Sequence, residues 1–106
     1  MARITSGHVE LREVIARNVA ELEHEYPERH STAWFFLRYL KRVQRHAEGP
    51  SARGCDRAMR ALTRFYVDMD DAETDLARRF DEVYFTHRNA VVLERRAEDR
   101  ARRRLG

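Results

Sequence analysis

The residues best suited to chemistry lie at one end of the chain. Arg95, Arg96, Arg100, Arg102, Arg103 and Arg104 stand against only Glu98 and Asp99 over residues 95–104. That stretch carries a net +4, while the other residues, 15 basic and 16 acidic, carry −1. A guanidinium is planar, permanently charged and able to hold a phosphate or carboxylate with paired hydrogen bonds, so the run offers polyanion contacts. The same arginines at a helix C-terminus complement the helix dipole with no partner at all. Without interleaved aromatics, four net charges make a small footprint for nucleic acid.

Acidic residues gather in "DMDDAETD", where Asp68, Asp70, Asp71, Glu73 and Asp75 have no base among them. Oxygen ligands of this kind suit a hard divalent cation, but the glycine and the ligand spacing of a calcium loop are missing. The run reads as a solvated helix start, with Asp70 and Glu73 in a capping pattern. In "EHEYPERH", His24, Glu25, Glu28 and His30 are types that zinc or iron accepts. Pro27 breaks the spacing that would gather them, so a polar loop is expected and no metal. His8 and His87 fall on apolar stripes, where a hydrogen-bonded core histidine is the expected role.

The segment "RNVAELEHEY" resembles the short motif of HEPN-type helical ribonucleases, an Arg, often followed by Asn, set four to six residues ahead of a His. Arg17, Asn18 and His24 match it with six residues between Arg17 and His24, and Tyr26 follows. The resemblance implies a helical fold and RNA cleavage with Arg17 and His24 at the centre. It stands third among the functional readings below. Ser6, Ser31, Ser51 and Cys55 have no base at a useful spacing, and no glycine loop is built for phosphate. No catalytic residue, metal, cofactor or small-molecule substrate is therefore expected, and the chain reads as non-enzymatic.

The elements that position these residues are helices. One domain fits 106 residues, and with Gly 4 and Pro 2 the chain is short of turn formers for an all-β fold. Ile4, His8, Leu11, Ile15, Val19, Leu22 and Tyr26 recur at helical spacing, predicting a helix over 6–26 capped by Ser6. A second helix is predicted over 32–47, from a Ser/Thr cap to Gly49-Pro50, with Trp34, Phe36, Leu37, Leu40 and Val43 on one face and Trp34 largely buried. Four aromatics within six positions exceed what one neighbouring helix covers, so Trp34, Phe35 and Tyr39 are expected at an interface.

Cys55, Leu62, Met69, Leu76, Val83, Ala90 and Ala97 then keep a seven-residue period with no Gly or Pro between Cys55 and Leu105. The period predicts one helix over 53–102, with a break near Asp70 as the alternative. A continuous helix of that length, more than about 60 Å at 1.5 Å per residue, would outrun the first two helices. Val83, Phe85, Val91 and Leu93 would then lie bare and call for a second copy of the chain.

The expected architecture is thus an all-α bundle of three principal helices with a long C-terminal helix, completed as a homodimer. The expected function is a protein–protein interaction module, an adaptor, assembly factor or small regulator. The alternative is a nucleic-acid-binding regulator using the Arg-rich end, and a HEPN-like ribonuclease comes after it. With one cysteine, no signal-like start and no run of about 18 apolar residues, a cytoplasmic protein that does not enter the membrane is expected.

Overall fold

The computed structural model describes residues 4–69 and 74–105, which form four helices and no strand. Helix α1 spans Ser6–His24, α2 Thr32–Ala47, α3 Asp56–Asp68 and α4 Thr74–Leu105, with a 3-10 turn at Ala52–Cys55 ahead of α3. The all-α expectation holds, and the bounds of α2 are those read from the sequence.

Each start has a local cause. Thr5, one residue before the Ser6 expected there, caps α1 by accepting from the His8 amide at 3.2 Å. Ser31 caps α2 by accepting from the Trp34 amide at 3.2 Å. At the far end of α2, Arg12 reaches over from α1 and donates to the carbonyls of Ala47, Glu48 and Gly49 at 2.7, 2.8 and 2.9 Å. Three carbonyls that a helix end leaves without partners are thereby satisfied by one side chain.

The segment expected as one long helix is two helices, as the alternative with a break near Asp70 had it. Met69 has extended geometry (φ −69°, ψ 126°), which ends α3, and α4 runs back alongside it. The reversal is visible in the pairing of Tyr66 with Phe80, whose rings stack at 4.1 Å, and of Asp56 with His87 at 3.0 Å. The Asp70 and Glu73 capping pattern lies outside the described residues. The four helices alternate in direction, α1 lying between α2 and α4, and α3 closing the square against α2.

Folding back supplies the cover that a single long helix lacks. Val83 is fully buried, Val91 packs against the core, and Leu93 lies against Gly7 at the start of α1. The apolar deficit that called for a second copy is therefore largely met within one chain, and only Phe85 of those four residues stays open, at 61% exposure. The core runs through Leu11, Ile15, Leu22, Phe36, Leu40, Leu62, Leu76 and Val83. No described helix is long and apolar enough to cross a membrane.

Candidate nucleic-acid interface

Charge divides unevenly among the helices. α2 carries Arg38, Lys41, Arg42 and Arg45 with no acid, a net +4, and α3 carries Arg57, Arg60 and Arg64 against Asp56 and Asp68, a net +1. Together they hold +5, as much as the Arg-rich end and more. All seven bases are exposed, and apart from Lys41, which meets Glu23 at 3.5 Å, none pairs with a described carboxylate.

Aromatic rings lie among these bases. Helices α2 and α3 run antiparallel, so Tyr39 stacks on Phe65 (centroids 5.0 Å apart, 16° between planes) and Phe35 lies 6.3 Å from the same ring. His30 adds a fourth ring, stacked on Phe35 at 5.9 Å and edge-on to Trp34 at 5.0 Å. To reach them it adopts a left-handed backbone, φ 67°, which an L-residue holds only where surrounding contacts require it. Arg38 lies over the Trp34 ring at 4.8 Å. The result is an open groove of about 640 Å³ whose walls include Phe35, Tyr39 and Phe65, with Arg42, Arg64, Thr32 and Asp68 around them.

The sequence-predicted residues fall into three sets. Trp34, Phe35 and Tyr39 do come together on this shelf, although Trp34 is only partly buried. Val83, Val91 and Leu93 do not join them, Val83 being buried and Val91 and Leu93 half-buried on α4, and Phe85 lies exposed on the same helix. Arg95, Arg96, Arg100, Arg102, Arg103 and Arg104 form the exposed end of α4, whose residues 99–105 are all open to solvent.

The HEPN-like residues are occupied by structure. Arg17 is hydrogen-bonded to Glu82 on α4, and the fully buried Asn18 donates to Val14 O at 2.9 Å and Glu82 Oε1 at 2.8 Å. His24 is exposed, its ring 6.5 Å from that of Tyr26, and His30 turns to Trp34 and Phe35, so the loop does not assemble a metal site. Among the described residues no three His, Cys, Asp or Glu side chains gather as metal ligands; Asp70, Asp71 and Glu73 lie outside them.

Two polar junctions escaped the sequence reading. In one, Arg79 is 3% exposed and donates to Asp75 at 2.9 Å, Asn18 at 2.9 Å and Glu21 at 2.6 Å. Burial works against its charge, but the bonds to Glu21 and Asp75 outweigh it and hold its pKa above the ordinary arginine value. Hydrogen bonds from Arg78 and then Arg79 hold Asp75 below the ordinary carboxylate range, and the bond from Arg17 does the same for Glu82. In the other junction, buried Glu94 accepts from Ser51 Oγ at 2.9 Å and the Ala52 amide at 2.5 Å, tying α4 to the turn before α3. His8 packs beside it with Nε2 donating to Ala47 O at 2.8 Å, so Ser51, Glu94 and His8 form no nucleophile–base relay. An arginine and a glutamate spaced to fall on an inward face were the only available signals.

No protein-family model, curated protein or solved structure matches the chain.

Proposed function

We propose that the chain is a non-enzymatic helical module that binds nucleic acid through the α2–α3 face. One observation carries the reading: exposed arginines with no described carboxylate partner alternate with stacked aromatics in a single open groove. Unpaired guanidinium groups attract phosphates and release their counterions, while the open ring of Phe35 and the half-buried rings of Tyr39 and Phe65 offer base-stacking platforms. A purely solvated basic face needs no aromatics, and a purely apolar docking face would not surround them with unpaired arginines. This moves the site from the Arg-rich end to the middle of the chain, where the even charge total had hidden it.

The test is fluorescence anisotropy of a labelled oligonucleotide across a salt series. With four phosphates neutralised on this face alone, the log–log slope on a short single strand should be about −3. Changing Arg38, Arg42, Arg45 and Arg64 to Gln should abolish binding and leave the helical circular dichroism unchanged, since all four are exposed. Changing Arg100, Arg102, Arg103 and Arg104 to Gln should leave most of it. Absence of salt-sensitive binding, or loss only in the second variant, would overturn the proposal. A protein partner on the same shelf, the adaptor reading, would instead give binding that tolerates salt and survives loss of the arginines.

A further inference from the structure

Resting on the nucleic-acid reading, we infer that the ligand is single-stranded RNA laid across α3, from the aromatic shelf into a second groove between α3 and α4. That groove, about 390 Å³, has Arg60, Arg88 and Arg95 on its walls and Met59, Tyr84 and Val91 among its apolar lining. Its one acid, Asp56, is taken up by His87 at 3.0 Å. None of the three arginines pairs with a described carboxylate, and all are exposed.

Helix α3 joins the two grooves. Arg64 lines the shelf and Arg60, one turn away on the same face of α3, lines the second groove, so the strip of the helix between the two grooves carries unpaired cations. The ridge between them is about one helix diameter, roughly 10 Å. A chain with flexible backbone and unstacked bases can place bases on the rings of the shelf, cross the ridge on arginines and enter the second groove. A duplex keeps its bases stacked in its interior, so the shelf has nothing to stack upon and only the ridge arginines meet phosphate.

The shelf also favours ribose. Asp68 lines it, exposed and without an ion pair to a described residue, and Thr32 lines it from α2. A carboxylate among phosphate-binding arginines repels the backbone unless something donates to it. The 2′-hydroxyl is a donor that RNA has and DNA lacks.

The experiment measures binding of labelled probes at low salt to the full chain: a mixed-sequence RNA 12-mer, the same sequence as DNA, its RNA duplex, and an RNA 4-mer. The RNA strand should bind at least about tenfold more tightly than the duplex, as loss of one or two stacked bases requires. It should bind several-fold more tightly than the DNA strand. Asp68→Asn should narrow the gap between RNA and DNA, chiefly by strengthening the DNA, because the charge that repels its phosphates is gone. Changing Arg60, Arg88 and Arg95 to Gln should weaken the 12-mer, lower its salt slope by about 2 in magnitude, and leave the 4-mer unchanged. If nucleic acid binds but the duplex matches the strand, or the triple variant keeps the parent slope, the inference falls and the binding face stands. If DNA equals RNA in the parent, the ribose assignment falls. If no probe binds, the nucleic-acid reading fails and this inference with it.

Discussion

Nη1 of Arg79 donates to Oδ1 of Asn18 at 2.9 Å, joining α4 to α1 where both side chains are all but sealed from solvent. Asn18 is spent on both sides, its oxygen on Arg79 and its amide nitrogen on Val14 O and Glu82. Asn18→Ala leaves a buried guanidinium short of an acceptor, so it should lower unfolding free energy by about 1–3 kcal/mol. Glu21→Gln removes a carboxylate that is half open to water and should cost under about 1 kcal/mol. Urea denaturation of the two variants checks the order, and equal losses would contradict it.

The same junction sets the acid limit of stability. Asp75 and Glu82 are held below the ordinary carboxylate range in the folded chain. Their unfolded counterparts take up protons first, near pH 4. Their contribution is therefore complete above that pH and is lost as pH falls through the lower folded values. Glu82→Gln should flatten the decline of the urea midpoint below about pH 4 while costing little slope above it. Both groups are partly exposed, so the effect should shrink with added salt.

Cys55 is fully buried beneath Val43, and burial, aided by Asp56 and Glu94, pushes its thiol up to about 11. At pH 8 the native chain should not react with an aromatic disulfide reagent, and full reaction should appear on unfolding. A raised folded value keeps stability intact below the unfolded thiol value, about 8.5, and lowers it as pH rises from there towards 11. Cys55→Ser should remove that alkaline decline.

Oligomeric state follows from cover. Val83 and Leu93 find cover within the chain, and of the exposed apolar residues of α4 Leu105 stands alone at its end while Phe85 and Val92 make a small patch beside Arg88. Sedimentation equilibrium at micromolar concentration should give the 12.6 kDa species. A stable dimer would require far more buried surface than this patch offers.

Much of the architecture was legible because the apolar period records which face points inward. Cys55, Leu62, Leu76, Val83 and Ala90 are all buried, as their seven-residue spacing predicts. The period does not record whether the helix is one piece: a stripe that faces the core in α3 faces the same core in α4 after the chain reverses. Met69, where α3 ends in extended geometry, is an ordinary helix former with no Gly or Pro beside it, so the one warning was the capping pattern of Asp70 and Glu73 that offered a break there as the alternative. The aromatic shelf was half legible. Trp34, Phe35 and Tyr39 stood out by density, but Phe65 and Arg64 join them only because α2 and α3 run antiparallel. Summing charge over the whole remainder hid the basic face, since acids spread over the rest of the chain offset the bases of α2 and α3 when only the total is taken.

Gly7 marks the closest approach of α1 to α4, and its prediction sets two effects against each other. A Cβ there would lie 2.9 Å from Leu93 Cδ1 and 3.1 Å from the Ala90 Cα. Replacing a helical glycine by alanine ordinarily stabilises by up to about 1 kcal/mol. Here the Leu93 methyl can rotate aside, but the Ala90 backbone must yield by a few tenths of an ångström, and overpacking of this kind costs about 1–3 kcal/mol. Gly7→Ala should therefore destabilise the chain despite the better helix former. Leu93→Ala alone should also destabilise by exposing and emptying part of the same contact. The double variant should lose less than the sum of the two, because the shortened side chain makes room for the new methyl. Additive losses in urea denaturation would mean that the Ala90 backbone, and not Leu93, sets the approach of the two helices.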